Sequence, residues 1–297
     1  MQKIKPHLYF LIPCLFISVS LLAISFFKND GGTFALYATV PCMACAAIYV
    51  LSPQIDWWGY KKNPPDVAPG IKQFLEEKFA YYQKLSTENK LKFRRRVALY
   101  TIGNEFMRPA PPKDDVRMRN DVPDDLKAAA AACAIQLTFG LTDFMMPPFE
   151  HIIIYPSPFP SPQYPNHFHT SEVFADDGVI LFSAEPLIQG FSNPTHFYSI
   201  GLHEYAKVFK LINPSSTFPQ LEEQDWNILE KISMFSRQTI TKGINLPHID
   251  PLPVAIHHFF TFPQPFKTAL PDVFQLFENI FNQNPLSFSN PIMNHKE

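Results

Sequence analysis

His203-Glu204-Tyr205-Ala206-Lys207 follows the metal-binding pattern H-E-x-x-H, except that lysine stands at the position of the second histidine. In the intact pattern, two histidines one helical turn apart bind Zn²⁺ while the glutamate activates a metal-bound water. Lysine is a poor substitute, because its ammonium has an ordinary pKa of about 10.4 and must lose a proton before the nitrogen can bind a metal. The chemistry expected of this chain therefore depends on Lys207.

The residues around this motif predict that it lies on a helix. Apolar side chains recur there with roughly helical spacing, at Phe197, Ile200, Tyr205, Val208 and Leu211. His203 and Lys207 then share one face of that helix, because residues four apart lie one above the other. The sequence therefore places the first histidine and the substituted position side by side.

Length and composition limit the classes of protein to consider. The 297 residues are 46% hydrophobic, which is enough for one globular domain with a proper core and additional segments. The formal net charge of −2 gives no electrostatic reason to expect a nucleic-acid partner. The 30 prolines and only 10 glycines predict many rigid, extended connections.

Two uncharged segments near the N-terminus predict a transmembrane helical hairpin. Residues 8–27 and 34–51 carry no charged side chain, and each is long enough to cross a bilayer as a helix. A cleaved signal peptide would explain the first segment but not the second. We therefore expect an integral membrane protein.

Basic residues predict the orientation of this hairpin. Lysines flank both outer ends and one lies in the connecting turn, namely Lys3, Lys5, Lys61 and Lys62 outside and Lys28 between the segments. Because the cytoplasmic side of a membrane protein carries the excess of lysine and arginine, both ends of the hairpin and the C-terminal domain are expected in the cytoplasm.

The remainder of the chain predicts a mainly helical α+β domain with a small sheet. We expect residues 1–53 to hold the hairpin, residues 54–70 to form a juxtamembrane linker, and residues 71–297 to form the domain. Periodicity and capping residues predict helices at 71–85, 86–106, 123–141, 220–239, 252–261 and 271–282. Short apolar runs predict strands at 151–155 and 178–182, and a proline-rich charged stretch predicts a loop at 109–122.

Three separated stretches resemble the zinc-dependent peptidases typified by Mlc titration factor A. They are Ile152-Ile-Ile-Tyr-Pro-Ser-Pro-Phe159; Gly178-Val-Ile-Leu-Phe-Ser183 followed by Leu202-His-Glu-Tyr-Ala206; and Ala255-Ile-His-His-Phe-Phe260 with Pro271-Asp-Val-Phe274 and Phe281-Asn-Gln-Asn-Pro285. The resemblance covers roughly residues 71–285. It implies a bacterial protein with a zincin-like fold, and together with the hairpin it predicts the bacterial inner membrane.

The resemblance also implies roles for individual residues. His203 matches the first zinc ligand of the family and Glu204 the general base. Lys207 stands where the second histidine ligand belongs, and His257 stands where the family has a glutamate as third ligand. Two of the three ligands are therefore substituted. We expect that zinc affinity collapses and that the Lys207 ammonium compensates the Glu204 carboxylate in place of the metal.

Two functions remain open from the sequence. In the first, the domain is catalytically degenerate and binds a peptide or protein partner, which would add as a strand at an edge formed by residues 179–182. In the second, it is an active zinc peptidase with a rebuilt ligand set. His203 and His257 would then be joined by His258 or by the H-x-H pair His167 and His169, which can point the same way on an extended segment.

Overall fold

The chain divides into two compact units, Met1–Pro65 and Asp66–Glu297. The computed structural model describes residues 5–28, 32–109 and 121–287. The boundary between the units falls within the predicted linker of residues 54–70. Lys3 lies outside the described residues. So do part of the turn between the apolar segments and most of the predicted loop at 109–122.

The first unit consists of three helices, α1 (Leu8–Lys28), α2 (Thr33–Val50) and α3 (Ser52–Lys62). By length and composition, α1 and α2 are apolar enough to cross a membrane. Residues 52–62 form a helix that has a proline in its first turn and two lysines in its last. Its first two residues belong to the predicted hairpin, and the others belong to the predicted linker.

Close contacts bring the start of α1 against α3. The His7 backbone N–H donates to Asp56 Oδ1 at 2.8 Å, and His7 Nδ1 lies 2.8 Å from Asp56 Oδ2. Gly59 permits this approach, because a Cβ at that position would lie 2.6 Å from the ring of Pro6. The outer ends of the hairpin are therefore fixed to each other.

The second unit is mainly helical and contains one small sheet. Its helices are α4 (Pro69–Lys78), α5 (Ala80–Gln83), α6 (Thr87–Gly103), α7 (Asp124–Thr138), α8 (Ala184–Ser192), α9 (Ile200–Ile212), α10 (Trp226–Ser233), α11 (Arg237–Ile244), α12 (Pro251–Thr261), α13 (Pro263–Ala269) and α14 (Pro271–Phe281). Its strands are β1 (Glu105–Met107), β2 (His151–Tyr155), β3 (Ser171–Phe174) and β4 (Val179–Ser183).

The four strands form a mixed sheet in the order β1-β2-β4-β3. β1, β2 and β4 are parallel, and β3 pairs antiparallel with β4, with Ser171 opposite Phe182 and Glu172 opposite Leu181. Gly178 allows the tight turn between β3 and β4, because its φ of 63° is a left-handed conformation and a Cβ there would lie 2.5 Å from the Pro148 carbonyl oxygen. The predicted strand at 151–155 is confirmed, and the one at 178–182 is displaced by one residue.

α7 forms the centre of the core. It is buried from Ala128 to Thr138, and its alanines allow α6, α8 and α9 to pack closely around it. A second part of the core consists of phenylalanines from α12, α13 and α14, including Phe259, Phe274 and Phe277. The motif helix α9 packs between α7 and α12, next to the sheet.

Three predicted helices differ from the structure. The helix at 71–85 is interrupted at Phe79, whose extended backbone places its ring against Phe191, with 4.5 Å between the ring centroids. The helix at 86–106 ends at Gly103, and Phe106 belongs to β1. The helix at 220–239 is broken at Met234, which adopts a left-handed conformation, and restarts at the Ser236 cap.

The sheet corrects the predicted partner-binding edge. Residues 179–182 belong to β4, which is an interior strand hydrogen-bonded to β2 on one side and β3 on the other. The edges are β1 and β3. β3 escaped prediction because Ser171-Glu-Val-Phe174 is short and carries a buried glutamate, which masks the apolar pattern of a strand.

Candidate functional site

The motif lies on α9, as its spacing predicts. The Ser199 side chain caps this helix by accepting from the Leu202 N–H, and the N-terminal half of the helix is buried. His203, Glu204 and Lys207 therefore start from a rigid segment whose orientation is fixed by packing on α7 and α12.

Both oxygens of Glu204 are engaged by other side chains. Lys207 Nζ lies 2.8 Å from Glu204 Oε2, and the Ser171 hydroxyl donates to Glu204 Oε1 at 2.8 Å. Glu204 is 0% exposed, whereas the Lys207 side chain is 30% exposed. The carboxylate is thus buried and paired with a cation that still reaches solvent.

The charge of Glu204 is set mainly by Lys207. Burial alone would raise the pKa of the Glu204 carboxyl, but the Lys207 cation, with help from His203 and the Ser171 hydrogen bond, holds the pKa below its ordinary value. Glu204 is therefore a carboxylate at neutral pH. A general base must offer a free lone pair to the water it activates, and here both carboxylate oxygens already have partners.

His203 is held by Tyr198. The Tyr198 hydroxyl lies 2.7 Å from His203 Nδ1, and the Tyr198 ring packs on the His257 ring with 4.5 Å between centroids. Burial lowers the pKa of His203 to about 4, and burial also raises the pKa of Tyr198 well above its usual value. At neutral pH the site therefore holds a neutral imidazole and an intact phenol, with Tyr198 covering both histidines.

His257 uses both of its ring nitrogens inside the protein. The backbone N–H of Ser199 donates to His257 Nε2 at 3.3 Å, so that nitrogen carries no proton. His257 Nδ1 lies 3.1 Å from His258 Nδ1, and the proton of a neutral His257 therefore sits on Nδ1 and is donated to His258. This hydrogen-bond chain joins the cap of α9 to α12.

The charge state of this pair agrees with that chain. Burial lowers the pKa of His257 well below its usual range, with further lowering by His258 and His203. Burial lowers the pKa of His258 to about 3, partly offset by the Leu229 backbone. Both rings are neutral at pH 7, as a histidine-to-histidine hydrogen bond requires.

His167 and His169 do not join the motif. His169 is buried, its Nε2 lies 3.0 Å from Glu172 Oε2, and its Nδ1 lies 2.9 Å from the His167 carbonyl oxygen. Ser171 contacts Glu204, and because neighbouring residues on a strand point to opposite faces, Glu172 and its partner His169 lie on the other face of the sheet. His167 is exposed on the preceding loop.

These side chains do not fit the zinc ion that the resemblance implies. A catalytic zinc needs three protein ligands, but Lys207 is paired with Glu204, and both nitrogens of His257 are occupied. Within residues 5–28, 32–109 and 121–287, no group of three or more histidine, cysteine, aspartate or glutamate side chains is arranged to hold a metal.

Sequence reasoning missed three residues that shape this site: Ser171, Tyr198 and Ser199. Ser171 and Tyr198 belong to no motif, and their roles depend on contacts across the fold. Ser199 carried a signal, since serine immediately before an apolar helix is a preferred cap.

Comparison with known proteins bears on the family resemblance. The family model described as glucose-regulated metallo-peptidase M90 matches residues 56–227, which include His203, Glu204 and Lys207 but end before His257. A search of curated proteins finds no match. The match spans more than half of the chain, and the resemblance to a metallopeptidase family is therefore confirmed at the level of the family. The chain belongs to the family of glucose-regulated M90 metallopeptidases.

Proposed function

We propose that this protein is a membrane-anchored M90 member that no longer hydrolyses peptides and acts by binding a peptide or protein partner. The observation that carries the proposal is the Lys207–Glu204 pair, 2.8 Å apart. In an active relative of this type, a divalent cation would sit beside this carboxylate. Here the ammonium of Lys207 supplies the compensating charge without offering a site for water activation.

The energetics support Lys207 as a lasting replacement for the metal. A buried carboxylate without a partner is costly, and removing one member of a buried pair typically destabilises a protein by about 3–5 kcal/mol. Since Lys207 is partly exposed, we expect a smaller loss here, about 2 kcal/mol. A chain that gained this lysine would therefore keep its fold without zinc.

Anchoring in the membrane is supported by the surfaces of α1 and α2. Most of their large apolar side chains are exposed, among them Phe16, Phe26 and Val40. Such surfaces are unfavourable in water and match a lipid environment. With Lys5, Lys61 and Lys62 at the outer ends, we propose a cytoplasmic domain of zincin-like fold on the bacterial inner membrane.

β3 replaces residues 179–182 as the candidate docking edge. It is an edge strand, and Ser171 at its start contacts Glu204, which places it beside the motif. A peptide could pair with this edge through backbone hydrogen bonds, which need no metal. The Thr170 N–H already donates to the Ile244 carbonyl, so this pairing would begin after Thr170.

The first experiment is metal analysis of the full chain purified in detergent after exposure to Zn²⁺, with a peptide-hydrolysis assay alongside. We expect substoichiometric zinc and no hydrolysis that depends on Glu204, tested with Glu204→Gln. One zinc per chain that is lost in both His203→Ala and His257→Ala would contradict the proposal and restore the active peptidase as the better conclusion.

The second experiment concerns the partner. Hydrogen exchange of the full chain is compared with and without a mixture of short extended peptides. A partner that adds as a strand slows exchange at the amides of β3. Slowed exchange at β1 instead, or at neither edge, would contradict docking at β3 while leaving the loss of catalysis to be judged by the metal analysis.

A further inference from the structure

A cavity of about 130 Å³ lies in the second unit, beside the start of α9. Its wall combines aromatic residues with polar ones. The lining residues include Phe79, Phe191, Lys84, Gln136, Thr195 and Ser199. The cavity is lined by none of the motif side chains His203, Glu204, Lys207 and His257. The cavity is thus distinct from the motif cluster, although both involve Ser199.

Gln136 is the unusual member of this wall. It lies on α7, next to a run of buried alanines, and is itself only 7% exposed. Its backbone carbonyl accepts from Gln283, but within the described part of the chain its side-chain amide has no hydrogen-bond partner. The amide atoms are not among the fully buried unpartnered atoms of the described residues, so they reach the open space of the cavity that Gln136 lines. Gln136 therefore presents a free donor and a free acceptor to the cavity.

The remaining wall indicates what would complete those hydrogen bonds. Lys84 carries the only charge among the lining residues, all of which the structure describes, and it is exposed at the rim. The Gln136 amide supplies the uncharged polar group, because the Thr195 hydroxyl already donates to Asn193 Oδ1 at 3.0 Å. Phe79 and Phe191 stack on each other with 4.5 Å between centroids and form an apolar floor. An anionic head, a neighbouring polar group and a short carbon skeleton would match these three features.

The close packing around the cavity shows that its shape is fixed. Gly190 lies in the wall, where a Cβ would come within 2.6 Å of Ser199 Cα. Ser199 in turn caps α9 and donates its N–H to His257. The cavity is smaller than the sites of drug-sized molecules, so it suits a ligand of only a few heavy atoms.

We propose that this cavity binds a small hydroxy- or amino-carboxylate, with its carboxylate at Lys84 and its polar substituent at Gln136. The ligand is of lactate or amino-acid size. This site is independent of whether the motif binds zinc, because no motif side chain takes part in it. Since Ser199 belongs to both, an occupied cavity stiffens the cap of the motif helix.

The test compares lactate with lactamide, its uncharged isostere, on the full chain in detergent micelles. Saturation-transfer NMR followed by titration measures both affinities. We expect lactate to bind at millimolar concentration or better and lactamide at least tenfold more weakly. Equal binding of the two, or no binding of lactate, propanoate or alanine at millimolar concentration, overturns the proposal and leaves a cavity that holds only water.

Three variants test the residues. Gln136→Leu should lower lactate affinity at least tenfold, and Lys84→Met should abolish the preference for lactate over lactamide. Thr195→Val, on an exposed loop of the cavity wall, should leave lactate affinity unchanged, because the Thr195 hydroxyl is already bonded to Asn193. The matched control is Lys231→Met, because Lys231 is exposed and lies outside the cavity. Unchanged lactate binding in Lys84→Met would overturn the assignment even if Gln136→Leu failed to fold.

Discussion

The motif cluster and the Gln136 cavity differ in what their polar side chains contact: protein groups in the first, open space in the second. Glu204 has a partner at each oxygen, and His257 has one at each nitrogen. Gln136 is nearly as buried, yet its amide has no partner among the described residues. A site that reacts or binds a ligand leaves polar atoms without protein partners, which costs stability. A site without such a function can hydrogen-bond those atoms within the protein. The comparison supports the proposal that contacts within the protein maintain the motif cluster, whereas the cavity keeps a polar group available for a small ligand.

The largest expected effect concerns restoration of zinc. Lys207→His alone should leave zinc binding weak, because both ring nitrogens of His257 are still hydrogen-bonded, one to Ser199 and one to His258. The double variant Lys207→His/His257→Glu restores the ligand types that the family resemblance implies and should gain zinc affinity by orders of magnitude. Metal analysis of the dialysed full chain provides the measurement.

The control for restoration is Lys210→His with His257→Glu, since Lys210 lies on the same helix but pairs with Asp250. This variant should gain no zinc. Stoichiometric zinc in Lys207→His alone would break the comparison, because it would mean that His257 is free to bind a metal.

The next largest effect is a loss of stability in acid. The pKa of His258 falls from an ordinary 6.5 to about 3, and that of His203 to about 4, because both rings are buried. Below about pH 6.5 these histidines bind protons in the unfolded chain but stay neutral in the folded chain. The free energy of unfolding therefore keeps its full value above that pH and falls as the pH drops toward 3. The loss is on the order of 4 kcal/mol for His258.

Thermal unfolding of the full chain in detergent at a series of pH values measures this dependence. His258→Leu should flatten the curve relative to the unaltered protein. As a matched control, His196→Leu removes an exposed histidine and should leave the slope unchanged. A His258→Leu curve as steep as that of the parent protein would rule out a buried neutral His258.

A smaller effect is expected at the ion pair. Lys207→Met leaves the Glu204 carboxylate buried without its cation and should lower the free energy of unfolding by about 2 kcal/mol. Adding Glu204→Gln removes the unpaired charge and should recover most of that loss. Denaturation of both variants and of Glu204→Gln alone gives the coupling energy. Additive effects would show that the pair is only a surface contact.

The smallest effect compares two buried glutamines. Gln283 accepts from the Tyr81 hydroxyl and donates to the carbonyls of Gln136 and Leu137, so Gln283→Leu should cost about 2 kcal/mol. Gln136→Leu removes an amide without partners and should be neutral or stabilising by up to about 1 kcal/mol. Calorimetry in the absence of added carboxylates measures both. A loss at Gln136 equal to that at Gln283 would mean that its amide is already paired.

Periodicity predicted the elements whose signals are local. The two apolar helices, the motif helix and the strand at 151–155 all follow from neighbouring residues. The predictions of uninterrupted helices across Phe79 and Met234 were wrong, because ring packing and a left-handed residue break them, and neither leaves a pattern in the sequence. β3 was missed because its burial is imposed by β4 and α9.

For the site, the sequence alone determined that lysine stands at position 207 of the motif and histidine at position 257, and the resemblance predicts that these are substituted ligand positions. Only the tertiary structure decided what those residues do instead. It brings Lys207 and Ser171 onto Glu204, turns His257 toward Ser199 and His258, and leaves Gln136 facing a cavity. The physical reason is that side-chain identity fixes which bonds a group can make, whereas packing of distant segments fixes which partners it meets.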